Sequence, residues 1–424
     1  MMEQFRQLSQ VPRCSGQSGA ALAFLEEFCT RWGADVAIDR AGNLLATIGQ
    51  PHFCLQAHYD MVCLGDQPPV LKEQGEWLMA ANGTLGADNG IGVALMMKLI
   101  EEKVAGEYLF TNDEEIGLLG AKALELRPKA PWLINLDSEE EGALTIGCAG
   151  GEDWQLQIPV VREACPPEKA LFLITTQGFM GGHSGIDIHR DRPSAIVQLL
   201  HHLYRLGSDG QIVALTGGER RNAIARYAEA VIATSISPPA SAAFAVQPLE
   251  AHPLAPIVQS RQLLDRLLQL PHGVLGWDEA CGVVSHSCNL ALIESSTDRL
   301  QVDLSLRANR TDLLQESANR LEAFGRWAGA ATRRHDRYPP WPPTDSQLAD
   351  YARAAMRACQ IEPRTEVIHA GLECGVLSEK LPHMEMISVG PSIGEPHTDR
   401  ERVRLPSLAR FENFIRKLCC DLSA

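Results

Sequence analysis

Apolar residues along the chain fall into short runs separated by amphipathic stretches. Residues 20–32 carry apolar positions at helical spacing, apolar runs follow at 43–48, 53–57, 108–111 and 132–136, and a helix-like stretch covers 90–102. Short apolar runs bounded by turn-forming residues read as buried strands, so this half of the pattern predicts alternating α and β elements. Such alternation predicts a mainly parallel sheet covered by helices, with functional side chains beyond the carboxyl ends of its strands.

From about residue 153 the texture changes. Strands are expected at 154–160 and 170–176, a helix at 193–206 and long strand-like runs around 223–234. Leu300, Val302, Leu304 and Leu306 alternate with polar residues, the period of a strand with one wet face. A helix over 312–328 follows, with Thr311 as its expected N-cap. Four prolines between Tyr338 and Pro343 then exclude regular structure. Beyond them a helix at 346–359, strands at 365–369 and 384–389 and a terminal helix restore the first texture. The expected architecture is an α/β domain of residues 1–152 and 338–424, interrupted by an inserted α+β domain of residues 153–337, with the proline segment as the return hinge.

A length of 424 residues suits two domains, and 45% apolar with 21% charged residues is ordinary for globular chains. The balance of 38 basic against 53 acidic residues, a net charge of −15, argues against nucleic acid or an anionic membrane as a partner. No run approaches the roughly 18 apolar residues of a membrane helix, and the first residues lack the plan of a signal peptide, so the expected location is the cytoplasm. Twelve cysteines without a C-x-x-C pair match neither a disulfide framework nor a zinc ribbon, and are expected to be reduced thiols without chemistry.

Candidate chemistry clusters at the expected strand ends. His58 and Asp60 stand two apart after an apolar run, on the same side of an extended chain, as a metal-bound imidazole and its supporting carboxylate do. A plain hydrogen-bonded pair accounts for that spacing equally well. Asp88 lies in the glycine-rich turn GTLGADNGIG before a helix, where it could be a ligand or simply an N-cap; the turn lacks both phosphate-loop patterns. Asp113, Glu114 and Glu115 end one strand and Asp137 ends another. A single acidic turn is ordinary solvation, but several strand ends finishing in carboxylates point to a cation. His397, in a proline- and glycine-rich loop behind another strand, would complete a mixed imidazole and carboxylate set suited to zinc or another transition metal.

The runs HYDMV from His58, TLGADNGIG from Thr84, NLDSEEEG from Asn135, GCAGG from Gly147, GGHSG from Gly181, RNAIAR from Arg221, HAGLECG from His369 and GPSIGEPH from Gly390 span both expected domains in order. Together they resemble the dinuclear zinc peptidase family that includes aminoacylase, carboxypeptidase G, carnosinase and peptidase T, with the pattern most like its aminoacyl-histidine dipeptidase branch. The resemblance implies that Asp88 bridges two zinc ions (manganese or cobalt being possible substitutes), with His58 and Asp137 on one and Glu115 and His397 on the other. It implies Asp60 as the residue orienting His58 and Glu114 as the general base. It gives His183 of GGHSG the role of stabilising the oxyanion in a partner's site, which predicts a homodimer through an inserted lid and dimerisation domain. Asn222 and Arg307 are the candidates for the backbone and carboxylate of a small peptide substrate, and Glu373 for its amino end, with a supporting hydrogen bond as the alternative for Glu373. The resemblance further implies a cis peptide bond after Asp88. The chain is shorter than that branch leads one to expect, with the reduction in the inserted region.

Three other readings compete with this one. Ser392 in GPSIG formally matches a serine-hydrolase elbow, but Pro391 before it and Glu395-Pro396 after it oppose the required strand-to-helix turn. A catalytically inactive peptide-binding protein on the same fold is opposed by the complete set of expected ligands. An N-acyl amino acid deacylase is the runner-up among enzymes; in the resembled family, aspartate at the position of Asp137 goes with peptidases that take a free amino terminus.

Overall fold

The computed structural model describes residues 1–65 and 67–424. The chain divides into two compact units: residues 1–148, 341–367 and 372–424 form the first, and residues 149–340 with 368–371 the second. The chain leaves the first unit at Cys148 and re-enters it at Trp341, inside the proline segment; the short return of 368–371 to the second unit has no counterpart in the sequence pattern.

Among the described residues of the first unit, the main sheet has eight strands in the order Asp35–Ile38, Leu44–Ile48, Gly106–Thr111, Cys54–His58, Trp132–Asn135, Glu385–Ser388, Ala143–Cys148 and Arg364–Ile368. The four central strands are parallel, and antiparallel strands flank them. Every residue of Cys54–His58 and Gly106–Thr111 is buried, as expected for parallel strands covered on both faces. The helix Ala87–Glu101 is apolar nearly all round, and it is correspondingly buried, from Ile91 to Ile100 with only Lys98 emerging. Helices Met2–Ser9 and Gly19–Arg31 pack on it, and the terminal helix Leu405–Leu422 adds Phe411, Phe414 and Leu418 to the same core.

A four-stranded sheet of the first unit escaped the sequence pattern. It joins the hairpin Leu71–Gln74 and Trp77–Ala80 to Arg402–Arg404 and Ile393–Gly394. These strands are short and mixed in polarity, so they carry no readable period, yet the last two bracket the loop that presents His397.

The second unit holds a nine-stranded sheet among its described residues, antiparallel at every resolved pairing, with helices Ala195–Arg205, Ser260–Leu267 and Thr311–Ala328 supplying its main core. The strand-like runs around 223–234 are Ala223–Ile224 and Ala228–Thr234. Two other local expectations differ from the structure. The alternating strand Arg299–Ala308 has no wet face, since Asp303, Ser305 and Arg307 are buried. It lies inside the sheet, where Gln155 and Gln301 donate to Asp303 and Arg307 donates to the Tyr338 hydroxyl. Thr311 is not an N-cap either: Arg310 takes that place without a side-chain cap bond.

The cysteine reading is corrected at one point. Cys14 and Cys63 form a disulfide, while the ten other cysteines form none. The pair is 49 residues apart and carries no spacing signature, so only folding brings the two thiols together.

Candidate metal centre

The four parallel strands end at one edge of the sheet, and each end delivers acidic or imidazole groups. His58 closes Cys54–His58, with Asp60 just beyond; Glu114 and Glu115 follow Gly106–Thr111; Asp137 follows Trp132–Asn135; and the chain beyond Glu385–Ser388 leads to His397. Parallel pairing aligns these ends, with His58 opposite Thr111 and Gln56 opposite Asn135. Asp88 arrives from elsewhere, at the start of Ala87–Glu101, through a cis Asp88–Asn89 peptide bond. It does not cap that helix, whose N-cap is Gly86.

Asp88 lies between the two histidines with one oxygen toward each: Oδ1 is 3.1 Å from His58 Nε2 and Oδ2 is 3.0 Å from His397 Nε2. Asp137 Oδ1 lies 3.4 Å from His58 Nε2, and Glu115 Oε1 lies 3.0 Å from His397 Nε2. The donor atoms of His58, Asp88 and Asp137 all fall within 4.8 Å of one another, and so do those of Asp88, Glu115 and His397.

The environment asks for cations. His58 Nδ1 donates to the Asp60 carbonyl at 3.1 Å, so a neutral ring turns the lone pair of Nε2 toward two carboxylates, a repulsive arrangement unless a proton or metal ion lies between. For His58, burial opposes the charge, but Asp137, Asp60 and Asp88 outweigh it and raise the pKa well above the usual value. His397 is pushed up to about 11, its burial overcome by Asp88 and Glu115. Asp137 is raised to about 6 by burial, despite His58. Two imidazoles and three carboxylates grouped this way fit a pair of zinc-like ions better than calcium or magnesium.

A family model for peptidase family M20/M25/M40 matches residues 54–420. The chain belongs to this family. It is 31% identical to the cytosol non-specific dipeptidase of Escherichia coli (strain K12), over 99% of this chain and 97% of that protein. The crystal structure of aminoacylhistidine dipeptidase from Vibrio alginolyticus matches with a TM-score of 0.83 at 29% identity, over 99% of this chain and 96% of that one. A Bacillus subtilis protein, described as a dinuclear metal-binding peptidase of the M20 family, shares the fold with a TM-score of 0.52 at 12% identity, over 100% of this chain and 97% of that one.

Within this M20 chain, Asp60 is fully buried and organises the acidic turn. Its Oδ1 accepts from the Glu114 N–H at 3.1 Å, and its Oδ2 from the Glu115 N–H at 3.4 Å and the Ser15 hydroxyl at 2.7 Å. Glu114 has its carboxyl pKa raised well above the usual value by burial and by the neighbouring charges of Asp137, Glu115 and Glu373, against His58. A carboxylate held in this way has a high affinity for a proton, the property of a general base.

Glu373 makes supporting hydrogen bonds within the first unit. It is fully buried at the start of Glu373–Lys380, and its Oε2 accepts from Gln56 Nε2 at 2.5 Å and the Thr111 hydroxyl at 2.8 Å. Its carboxyl, raised to about 7 by burial, thus braces the strands that carry His58 and the acidic turn instead of facing solvent.

His183, Asn222 and Arg307 lie in the second unit. The GGHSG and RNAIAR runs pair there, Gly182 with Ile224 and His183 with Ala223, and the Ser184 N–H donates to the Asn222 carbonyl at 2.8 Å. The N–H groups of Gly185 and Ile186 donate to His183 Nδ1 at 3.2 and 3.1 Å. A neutral His183 therefore carries its proton on Nε2 and can donate from there. Arg307 Nη1 donates to the Tyr338 hydroxyl at 2.8 Å, and Ser287, paired with Arg307 across the sheet, has its hydroxyl 2.7 Å from His369 Nε2.

Four residues that share in the first unit's site were not read from the sequence: Arg13, Ser15, Asn89 and Glu401. Asn89 Nδ2 donates to Asp137 Oδ1 at 2.5 Å. Only the glycines around Asp88 hinted at a neighbour requiring space.

Proposed function

We propose that this M20 peptidase hydrolyses dipeptides and other very short peptides with a free amino terminus, using two zinc ions held by His58, Asp137 and Asp88 on one side and by Glu115, His397 and Asp88 on the other. The observation that carries the reading is Asp88, with one carboxylate oxygen facing each histidine-containing group. Such ions supply a polarised peptide carbonyl and a water of lowered pKa. Glu114 takes the proton of the attacking water and passes it to the leaving amine. Asp60 fixes the tautomer of His58 and the backbone of Glu114 and Glu115. His183 donates from Nε2 to the developing oxyanion, acting in a homodimer on the partner's site, and Asn222 and Arg307 receive the substrate's backbone and carboxylate. The names of the Escherichia coli and Vibrio relatives favour dipeptides, Xaa-His among them, and the former's name favours the cytoplasm. No helix among the described residues is long and apolar enough to cross a membrane.

The test is metal analysis of the purified protein with a screen of dipeptides against N-acetylated amino acids. Two ions per chain, dipeptide turnover abolished by a chelator and restored by zinc, and inert acetylated substrates are expected. Turnover of the acetylated compounds alone would instead make the protein a deacylase, and full activity in a chelated, metal-free sample would end the dinuclear reading.

A further inference from the structure

Two buried residues of opposite charge, far apart in sequence, meet at the turn that delivers Asp88. Arg13 and Glu401 are each 2% exposed. The Glu401 carboxylate accepts from three successive backbone N–H groups, those of Gly86 at 3.0 Å, Ala87 at 2.7 Å and Asp88 at 3.2 Å. Arg13 Nη2 donates to the Gly86 carbonyl at 2.5 Å, so the residue two before Asp88 is held at both its N–H and its C=O.

The other arm of Arg13 reaches the His58 segment. Nη1 donates to the carbonyls of Tyr59 at 3.1 Å and Asp60 at 3.4 Å, and the Asp60 carbonyl is the acceptor for His58 Nδ1. One guanidinium thus ties together the backbones of two ligand-bearing segments that share no strand pairing. Around it the main chains of Arg13, Ser15 and Met61 bond to one another, with Met61 N–H donating to Arg13 and Ser15 N–H to Met61.

The glycine-rich turn is built for this side chain. A Cβ on Gly86 would stand 2.3 Å from Arg13 Nη2, and one on Gly90 would stand 2.6 Å from the same atom. Gly86 also has φ +67°, which favours glycine on its own account. The spacing in TLGADNGIG, unlike that of a phosphate loop, leaves room for a guanidinium. Burial lowers the pKa of Arg13 to about 10, with Glu401, Asp60, Asp88 and Glu115 opposing that loss, so the group stays charged at neutral pH.

We propose that Arg13 and Glu401 are positioning residues for the metal centre, a preformed clamp that sets the separation of Asp88 from His58 before any ion binds. The proposal rests on the dinuclear reading of the site. A lysine cannot replace Arg13, because one ammonium lacks the planar fork that serves carbonyls on two segments at once. Glutamine cannot replace Glu401, because its amide group would direct N–H toward a backbone N–H.

The test compares Arg13→Lys and Glu401→Gln with wild type in three measurements: zinc affinity by chelator competition, melting of the metal-free protein, and kcat at rising free zinc. The clamp predicts zinc binding weaker by about 10- to 100-fold, the usual cost of losing support behind a ligand, with kcat recovering in part as zinc is raised. A purely structural role would lower the metal-free melting temperature and leave the zinc affinity of the folded protein unchanged, and that result overturns the proposal. Hydrogen exchange on metal-free wild type decides the matter even if both variants fail to fold. The Gly86, Ala87 and Asp88 amides should be protected without zinc, and loop-like exchange there overturns a preformed clamp. Wild type that binds no zinc defeats the dinuclear reading itself, whereas normal wild-type binding with unaltered variants defeats the clamp alone.

Discussion

Replacing Asp60 by asparagine exchanges one carboxylate oxygen of a fully buried side chain for an amide nitrogen, and the structure fixes what that change must disturb. The carboxylate accepts from the N–H groups of Glu114 and Glu115 and from the Ser15 hydroxyl, and its Oδ1 faces His58 Nδ1 at 3.5 Å. Burial alone would raise its pKa, but His58, Ser15 and the Glu114 N–H outweigh it and hold Asp60 below the usual carboxylate range, so it is ionised at neutral pH. In asparagine one oxygen becomes an amide. If the amide takes the Oδ2 place, Ser15 can turn to accept, but the Glu115 N–H faces another donor; if it takes the Oδ1 place, the Glu114 N–H does. Either rotamer leaves one partly buried backbone donor unpaired, at up to about 1–3 kcal/mol. Since 1.4 kcal/mol is a factor of ten, that alone is about 5- to 150-fold, and the lost charge behind His58 acts in the same direction. Asp60→Asn should therefore bind zinc about 10- to 100-fold more weakly and lose a comparable factor in kcat/KM at fixed free zinc. Chelator competition and initial rates on one good dipeptide measure this, with a melt of the metal-free protein to show that it folds. A folded Asp60→Asn protein within about twofold of wild type in both quantities would falsify the reasoning.

Glu114→Gln should retain two zinc ions while turnover falls about 100- to 10,000-fold, as for loss of a general base; Glu115→Gln should lose or loosen one ion and regain part of its activity in excess metal. Metal analysis that finds the reverse pattern means the two roles are exchanged. His183→Ala should keep both ions and lose about 100-fold in turnover, as for removal of an oxyanion donor. Mixed with Glu114→Gln under proven subunit exchange, it should rebuild some active sites, and no recovery would place the histidine's action in its own chain. In the second unit, burial lowers the pKa of His272 to about 4, and its Nδ1 accepts from the Leu290 N–H. The folded state keeps His272 neutral while the unfolded chain protonates near 6.5. Its contribution is therefore whole above about pH 6.5 and falls by up to about 1.4 kcal/mol per pH unit between 6.5 and 4. Melting of wild type against His272→Gln over that range should show a shallower pH slope in the variant, and identical slopes would remove the histidine from the account.

The order of elements and the acidic and imidazole residues at the strand ends could be read from the chain alone. A parallel strand buried on both faces is mostly apolar, so Cys54–His58, Gly106–Thr111 and Trp132–Asn135 were visible, and residues just past such runs lie at one edge whatever the details of packing. The resemblance assigned the residues beyond those ends their expected roles. Other features depend on where distant segments meet, and local pattern carries no trace of them. The small sheet that frames His397 is made of strands too short to show a period. Cys14 and Cys63 became a pair only because the N-terminal segment runs beside Met61. Glu373 is buried where its carboxyl accepts from Gln56 and Thr111, partners that lie far from it in sequence. Arg13 and Glu401 stand in no motif, and their burial required six backbone groups from two segments, residues 59–60 and 86–88, to converge on them. Periodicity records which face of an element avoids water, so the sequence determined the elements and the edge where their polar ends collect. It does not record which buried polar group will find which partner, because that energy exists only once the chain has closed, and so the supports behind the ligands were decided by tertiary structure.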